Sequence, residues 1–333
     1  MNGNKRKGAV IGYGGAFNMG KAHAEQMIAA GIEFVAACDL DAARAAQAGQ
    51  DFPGIGVYTR VEDLLARDDI DVVTVITPHN THAPLATQVL ESGKHCILEK
   101  PMCIFAEDAD RLVRLAADKG LMLSVYHNRR WDGWYLAVQD LIRKDILGDI
   151  FHVEMYHGGY YNPGTWWRSD KAISGGVFYD WGAHYLDWLL GLLPGKIASV
   201  RGFIHKRVWY DVSNEDQMDS IIAYEDGAVA FVQQSSIARL GKAHRRILGT
   251  QGAVVDYGDG SLTLQTEVNG LQVESKIPYF KDRHDAFYKN VASHLTTGAA
   301  LTVTPEQTRR IIAVIETTER SAKAGKELPV PYE

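Results

Sequence analysis

The sequence predicts an α/β protein: a doubly wound parallel sheet, followed by an α+β domain with a large, mainly antiparallel open sheet. Three observations lead to this fold class. Short β-branched runs alternate with helical patterns through residues 1–127, a glycine-rich turn follows the first run, and strand patterns without helices fill residues 198–277. Alternating strands and helices are typical of parallel sheets, whereas consecutive strands joined by short turns are typical of antiparallel ones.

Length and composition favour a globular protein of two domains over several other classes. A chain of 333 residues is long enough for two domains, and we place them at residues 1–127 and 128–333. The net charge of −6 and the lack of a basic block argue against nucleic-acid binding. Three cysteines without a CxxC spacing predict neither a disulfide frame nor a metal site. No run reads as a signal peptide or a membrane span, so we expect a cytoplasmic protein with no membrane partner.

A glycine-rich turn links the first strand, predicted over residues 8–13, to the first helix. Gly12, Gly14 and Gly15 fall in this turn, and a further glycine, Gly20, comes later than the usual GxGxxG spacing allows. Such a turn lets backbone N–H groups approach a pyrophosphate at the helix N-terminus. Because glycine-rich turns are common, the turn alone is weak evidence for a dinucleotide site.

Asp39 ends the second predicted strand, residues 33–38, at the position where a carboxylate can bind the adenosine ribose hydroxyls. The same charge repels a 2′-phosphate, which favours NAD over NADP. Arg44, one turn later, could instead hold that phosphate. The alternative for Asp39 is a helix N-cap.

Later strands of the first domain end at further polar residues. Residues 71–76 run into Thr77, residues 95–98 into Glu99 and Lys100, and residues 121–126 approach Asn128. Ligands of doubly wound sheets bind at the carboxyl ends of the strands. These ends therefore predict a binding edge shared with the glycine-rich turn.

The stretch from Gly175 to Gly191 predicts a mostly apolar, buried helix bounded by glycines. Asp180, His184 and Asp187 share one of its faces, because their spacings are four and three residues. A carboxylate one turn before a histidine can orient the imidazole as a general base. The alternative is a helix-start carboxylate next to a satisfied core histidine.

An aromatic loop precedes this helix. It contains Tyr160, Trp166, Trp167 and Arg168, which could stack on sugar C–H faces and bind hydroxyls. The alternative is that these rings pack a sheet edge or a subunit contact.

With these motifs placed, nearly the whole chain resembles the Gfo/Idh/MocA family, the glucose–fructose oxidoreductase and inositol dehydrogenase group. The resemblance rests on the Gly12–Gly20 turn with His23 and on several short motifs. These motifs are TPHNTH at 77–82, GKHCILEKP at 93–101, NRRWD at 128–132, DWGAH at 180–184, TPEQ at 304–307 and SAKAGKELPV at 321–330.

The resemblance implies a catalytic group of Lys100, Asp180 and His184, in which the histidine is the acid/base. It also implies a cis peptide between Lys100 and Pro101, with the active site in a cleft between the two domains. The expected cofactor contacts are Gly12, Gly14, Gly15, Asp39, Thr77, Pro78, His82, Glu99 and Lys100. The expected substrate contacts are Asn128, Arg129, Tyr160, Trp167, Arg168, Asp180 and His184.

The expected function is therefore an NAD-dependent oxidoreductase, with NADP less favoured, that moves a hydride between a secondary alcohol of a sugar, polyol or cyclitol and the nicotinamide. Two alternatives stay open: a glycosidase that retains NAD and oxidises its sugar transiently, and a non-catalytic sugar or NAD sensor. The partner is a small carbohydrate or polyol. We expect a homodimer or homotetramer formed through the C-terminal sheet.

Overall fold

The computed structural model describes residues 5–333, which fall into two compact units, each made of separate chain segments. The first unit contains the chain up to residue 103, residues 107–128 and residues 285–309. The second contains residues 104–106, 129–284 and 310–333. The two domains expected from the sequence are contiguous, and residues 1–4 of the first lie outside the described part. Residues 285–309, which the sequence suggested for the second domain, cluster with the first unit.

The first unit is built on a parallel sheet, and the predicted doubly wound fold is confirmed. Among the described residues this sheet has six strands in the order β3-β2-β1-β4-β5-β6, with all neighbouring pairs parallel. The strand order reverses between β1 and β4, and such a switch point forms a ligand crevice. The strands are β1 (Lys7–Ile11), β2 (Glu33–Cys38), β3 (Gly56–Tyr58), β4 (Val72–Val75), β5 (His95–Leu98) and β6 (Leu123–Val125).

The central strands are mostly apolar because helices cover both faces of the sheet. Every residue of Val72–Val75 is fully buried, and Cys96, Ile97 and Leu98 are buried as well. The edge strand β3 was not predicted. It has three residues, none of them buried, so it leaves no hydrophobic run for a sequence pattern to detect.

The ten helices of the described residues follow the chain in order, and short 3₁₀ turns lie at residues 16–18, 79–81, 128–131, 167–169 and 177–179. The helices are α1 (Met19–Ala29), α2 (Ala42–Asp51), α3 (Val61–Leu65), α4 (His82–Glu91), α5 (Ala106–Asp118), α6 (Gly133–Arg143), α7 (Lys171–Ser174), α8 (Trp181–Leu192), α9 (Ala286–Thr297) and α10 (Pro305–Ala324).

The second unit carries the predicted large sheet. Within residues 5–333 it has eight strands in the order β14-β13-β12-β11-β7-β10-β9-β8, antiparallel except for the pair β7 and β10. Gly227, at a positive φ of 90°, lies in the hairpin turn between β9 and β10. The strands are β7 (Ile150–Gly158), β8 (Ile197–His205), β9 (Gln217–Tyr224), β10 (Val229–Ser235), β11 (Arg245–Gly249), β12 (Gly252–Asp256), β13 (Ser261–Val268) and β14 (Leu271–Pro278).

The helix expected from Gly175 begins later than the sequence pattern indicates. Gly175 and Gly176 both have positive φ, 89° and 134°, and a 3₁₀ turn follows them. Asp180 is non-helical, with φ −87° and ψ −90°, and α8 begins at the next residue. The single helical face predicted for Asp180, His184 and Asp187 is therefore wrong for Asp180, because that residue precedes the helix.

The late glycine of the glycine-rich turn allows α1 to approach β1 closely. A Cβ on Gly20 would lie 2.3 Å from the carbonyl oxygen of Tyr13. That atom belongs to the backbone and cannot rotate away. Gly20 therefore has the packing role of the third glycine of a GxGxxG turn, displaced by the extra 3₁₀ turn at residues 16–18.

Replacing Gly20 by alanine is expected to lower the free energy of unfolding by about 2 kcal/mol, because overpacking against fixed backbone costs roughly 1–3 kcal/mol. Gly49→Ala in α2 is the control. Its new methyl would meet only a side-chain methyl of Val57, at 3.0 Å, and alanine favours the helix by up to about 1 kcal/mol. Urea unfolding of both variants checks this, and equal stabilities would contradict the close approach.

Candidate active site

The glycine-rich turn lies at the carboxyl end of β1, as predicted. The Gly12 N–H donates to the carbonyl of Cys38 at 2.8 Å, and Gly12 has a φ of 89°. The side chain of Arg44 crosses Gly14 so closely that a Cβ there would lie 2.3 Å from its Cδ. The turn thus brings its own backbone, rather than side chains, to the start of α1.

Asp39 is buried and accepts three backbone hydrogen bonds. Its Oδ2 accepts from the N–H groups of Tyr13 and Gly14 at 2.9 and 3.0 Å, and its Oδ1 accepts from Asp41 at 3.0 Å. The carboxylate therefore shapes the glycine-rich turn, a role that the sequence did not indicate. Asp41, not Asp39, caps α2, and it lies 3.5 Å from the Arg44 guanidinium.

The turn after β4 contains three of the expected cofactor contacts, but they differ in accessibility. Thr77 and Pro78 are partly exposed, and the Thr81 hydroxyl donates to the Pro78 carbonyl at 2.6 Å. His82 is fully buried, and both its ring nitrogens face backbone carbonyl oxygens, those of Pro101 and Thr77. His82 is thus placed to fix the turn rather than to touch a nucleotide.

A buried polar chain holds Glu99, which precedes Lys100. Glu99 Oε1 lies 3.0 Å from Nε2 of His23, and the other His23 nitrogen lies 2.7 Å from the hydroxyl of Tyr288. That hydroxyl lies 3.0 Å from Oγ1 of Thr74. Burial acts to raise the pKa of Glu99, but the hydrogen bonds and positive charges of His23 and Lys100 together outweigh it, so the pKa is lowered.

Lys100 is thereby fixed through its own backbone. Its N–H donates to Oε2 of Glu99 at 2.9 Å, and the peptide to Pro101 is cis, as the resemblance implied. The ammonium-bearing side chain is partly exposed. Sequence reasoning placed Lys100 and Glu99 at this strand end but missed Tyr288, which comes from α9.

His184 lies in an aromatic frame on α8. Its ring is buried and stacks on Trp188 with centroids 6.2 Å apart and planes 29° apart, while Trp181 approaches edge-on at 5.6 Å. Trp188 is fixed in turn, because its Nε1–H donates to the Arg129 carbonyl at 2.8 Å. This packing limits the orientations available to the imidazole.

Asp180 and Arg168 form an ion pair at the start of the same helix. Arg168 Nη1 donates to Asp180 Oδ1 at 2.9 Å, and both side chains are partly exposed. The guanidinium lies 4.9 Å from the ring centroid of Trp167 and 5.4 Å from that of Trp166. Arg168, one of the predicted substrate contacts, thus links the Asp180 carboxylate to the faces of two indole rings.

Asp187 has a different partner from the one its helical spacing suggested. Both oxygens of its buried carboxylate accept from Arg130 Nε, at 3.1 and 3.0 Å, and one also accepts from Nη2 at 2.6 Å. Arg130 is 16% exposed, so the pair is desolvated. Asp187 therefore neutralises a buried guanidinium beneath the site.

The Trp181 ring contacts a guanidinium and an imidazole, those of Arg129 and His157. The guanidinium of Arg129 lies 4.6 Å from its ring centroid, and the His157 ring stacks on it at 5.0 Å with planes 19° apart. Burial lowers the pKa of His157, while the nearby charge of Asp180 acts to raise it. His157, on β7, was missed because strand alternation alone gives a histidine no functional signal.

The remaining expected contacts are scattered. Tyr160 is 40% exposed, and its ring faces the guanidinium of Arg239 at 3.7 Å and the ring of Trp209 at 5.4 Å. Asn128 belongs to the first unit and is partly exposed. For Tyr160, the contacts also fit the alternative of packing between neighbouring loops.

A second charged network supports the segment before Asp180. The ammonium of Lys171 bonds Glu215 and lies 2.8 Å from Glu319, while Glu215 accepts from the Val177 N–H at 3.1 Å. Burial raises the pKa of Glu319. These residues hold the turn that precedes Asp180, and sequence reasoning missed all of them.

One cluster could suggest a metal site but is explained by local structure. Asp132, Asp282 and His284 bring one ligand atom each within 4.8 Å of the others, and no second such group occurs in residues 5–333. Asp132 lies 2.6 Å from His284 and 3.2 Å from the Arg129 guanidinium, and Asp282 accepts from the Gly133 N–H at the start of α6. The cluster therefore joins the segment after β14 to the first turn of α6.

Two family descriptions match the chain over separate regions. The description "Oxidoreductase family, NAD-binding Rossmann fold" matches residues 6–127, and "GFO/IDH/MocA C-terminal domain" matches residues 135–255. Together they cover well over half of the sequence. The chain belongs to the GFO/IDH/MocA oxidoreductase family.

Individual proteins are similar to this chain along most of their length. The scyllo-inositol 2-dehydrogenase (NADP(+)) IolW of Bacillus subtilis (strain 168) is 28% identical over 317 residues, 87% of either chain. The structure of an NAD-binding protein from Listeria innocua has a TM-score of 0.87 at 26% identity and covers 99% of this chain and 98% of that one. The putative oxidoreductase yvaA from Bacillus subtilis has the same fold, with a TM-score of 0.88 at 24% identity, over 98% and 99% of the two chains.

The first unit thus carries the NAD-binding Rossmann domain of a GFO/IDH/MocA protein, although α9, which supplies Tyr288, lies beyond both matched regions. Among residues 5–333, no helix combines the length and the apolar character needed to cross a membrane.

Changing Asp187 to Asn is expected to destabilise the protein by about 3 kcal/mol or more, because removing one partner leaves the other charge buried. Arg143→Ala, which breaks an exposed pair with Asp140, is the matched control and should leave stability nearly unchanged. Denaturant unfolding measures both. If Asp187→Asn lowered the free energy of unfolding only slightly, the Arg130 guanidinium would have to reach solvent.

Proposed function

We propose that this protein is an NAD-dependent oxidoreductase that transfers a hydride between the nicotinamide and a secondary alcohol of a sugar, polyol or cyclitol. The observation that carries the proposal is the fixed Glu99–Lys100 strand end in the Rossmann unit of a family member that also has Asp180 and His184 at the start of α8. The dehydrogenase activity named for IolW supports the substrate class.

The first unit fits a dinucleotide. Helix α1 has eleven residues, no side-chain N-cap and no acidic residue in its first turn, which leaves its N-terminal N–H groups and positive dipole available to a pyrophosphate. We propose that Gly12, Gly14 and Gly15 approach the pyrophosphate, Asp39 the adenosine ribose, and Thr77, Pro78 and Lys100 the nicotinamide half. Glu99 and His82 would then act from behind, by positioning these segments.

Bound NAD supplies the hydride acceptor for alcohol oxidation. The proton of the alcohol needs a base, for which we propose His184, with its ring held by Trp188 and Trp181. Lys100 would stabilise negative charge developing on the alcohol oxygen. Asp180, paired with Arg168, would hold the hydroxyl and set the charge around the imidazole.

We propose that Asn128, Arg129, Tyr160, Trp167 and Arg168 contact the substrate. The support is strongest for Arg168, which joins an ion pair with Asp180 to two indole rings. Guanidinium donors beside flat aromatic faces suit a ligand with both hydroxyls and C–H faces. Because Arg168 contacts both the carboxylate and the indole rings, its loss should raise KM more than the loss of any other proposed substrate contact.

We also propose that the outer face of the eight-stranded sheet joins two or four copies of the chain. Helix α8 packs on β7 and β10 from one side, while Phe203 and Ile221 remain more than a third exposed on neighbouring strands. Exposed apolar residues on a sheet face mark interaction surfaces. Light scattering reports the mass of the assembly directly.

NAD is expected to bind at least about tenfold more tightly than NADP, because juxtaposed like charges cost several kcal/mol and we propose that Asp39 faces the adenosine ribose. Two facts favour NADP instead. Arg44 lies beside Gly14, and the name of IolW includes NADP(+). Asp39→Asn should narrow the preference, and Arg44→Ala should widen it. Fluorescence titration of both cofactors decides; tighter NADP binding by the wild type would overturn the assignment.

His184→Ala is expected to lower kcat by about 10²–10⁴-fold, the usual contribution of a general base, with NAD affinity nearly unchanged. Asp180→Asn should also depress kcat and shift its pH profile, whereas His205→Ala on β8 should do neither.

A screen of NAD reduction over sugars, polyols and glycosides identifies the substrate first. Stoichiometric NADH marks a dehydrogenase, recycled NADH an NAD-retaining glycosidase, and no turnover with any compound a sensor.

A further inference from the structure

His82 is in an unusual hydrogen-bonding position. Its ring is fully buried, with Nδ1 2.7 Å from the carbonyl oxygen of Pro101 and Nε2 2.8 Å from that of Thr77. A carbonyl oxygen can only accept a hydrogen bond, so each of these contacts requires an N–H on the ring. Neutral imidazole has one N–H, and its other nitrogen would turn a lone pair toward an oxygen lone pair.

The charges around the ring act in both directions. Burial is the largest influence on the pKa of His82 and lowers it overall; the two carbonyl hydrogen bonds and the negative charge of Glu99 act to raise it, and the positive charge of Lys100 acts to lower it further. The His79 ring lies 5.8 Å away. His82 is also the first residue of α4, where the helix dipole disfavours a cation. The contact geometry points the other way, because only a doubly protonated ring supplies an N–H donor to both carbonyl oxygens, at 2.7 and 2.8 Å.

We propose that His82 is a doubly protonated imidazolium at neutral pH and that it positions Lys100 by tying the Pro101 carbonyl to the Thr77 carbonyl. Thr77 lies two residues after the end of β4, and Pro101 directly follows Lys100 after β5. The His82 side chain therefore joins the segments that follow the neighbouring strands β4 and β5. The positioning half of this proposal rests on the proposed role of Lys100; the protonation half does not.

The same unit contains a natural reference. The Nδ1 of His95 accepts a hydrogen bond from the Met122 N–H at 2.9 Å, so that nitrogen carries no proton. Burial lowers the pKa of His95. His95 is thus a neutral imidazole with its proton on Nε2, at the opposite end of β5 from Lys100.

Nitrogen-15 NMR of the resting wild-type protein, without nucleotide or substrate, tests the protonation at pH 7. We expect one-bond N–H couplings at both ring nitrogens of His82 but only at Nε2 of His95. His82→Gln assigns the signals by their loss, with His82→Asn in its place if the glutamine variant does not fold. An unprotonated nitrogen on His82 overturns the proposal, whatever the activity screen gives.

Stability against pH provides a second readout with a definite sign. A folded-state pKa above the unfolded value of about 6.5 means that His82 stabilises fully below that pH and that the gain disappears as pH rises through the folded pKa. The stability difference between wild type and His82→Gln should therefore shrink from pH 6 to pH 9. A difference that instead grows as pH rises from 5 to 7 is the result for a neutral, buried ring and contradicts the proposal.

Kinetics test the positioning. His82→Gln should lower kcat by about 10–100-fold, because small misplacements of catalytic groups cost up to about 10²-fold, while affinity for ADP-ribose, which lacks the nicotinamide, changes little. His95→Gln, whose amide oxygen can accept from the same Met122 N–H, is the matched control and should keep the wild-type kcat. Equal kcat values for His82→Gln and wild type would overturn the positioning role.

Discussion

Compensation of the largely buried Glu99 carboxylate, whose side chain is 15% exposed, is the constraint on which the first unit depends. A carboxylate removed from water needs hydrogen-bond donors, and the donors available here are the His23 ring and the Lys100 N–H. Meeting this need brings α1 to the end of β5. His23 in turn needs a partner for its second nitrogen, which Tyr288 of α9 supplies. The position of Lys100 thus follows from the solvation of its neighbour.

The second unit solves a related problem differently. Helix α8 is apolar on most of its surface, yet the segment that forms it also contains Asp180, His184 and Asp187. Each polar group is accommodated separately: Arg130 neutralises Asp187, Arg168 pairs with Asp180 at the helix start, and indole rings enclose His184. Only the groups at the helix start keep partial exposure. The proposed base and its neighbouring carboxylate therefore both lie at the start of the helix.

Sequence patterns predicted the fold and its strand ends because those features are local. The strand His95–Leu98 appears at its predicted bounds, since a β-rich apolar run extends over its own residues. The start of α8 could not be predicted, because two adjacent positive φ values depend on packing that the sequence does not display.

Partners distant along the chain were beyond reach for the same reason. Arg130 is 57 residues from Asp187, and Tyr288 is 265 residues from His23. Spacing along one helix suggested that Asp187 shares a functional face with His184. In the structure, the Asp187 carboxylate instead pairs with the Arg130 guanidinium, which folding brings close. Asp39 was recognised as a strand-end carboxylate, whereas its bonds to the turn backbone depend on a loop of irregular length.

The return of residues 285–309 to the first unit affects the order in which the protein can be completed during synthesis. The Ser124 hydroxyl donates to the Val303 carbonyl, and Tyr288 bonds His23 and Thr74. On the ribosome, the Rossmann strands emerge roughly 150 residues before these partners, a delay of about 10–30 s at 5–20 residues per second. During that interval the nascent sheet has its strands but not the helix that closes its polar core. Completion of the nucleotide-binding unit therefore waits for translation of most of the other one.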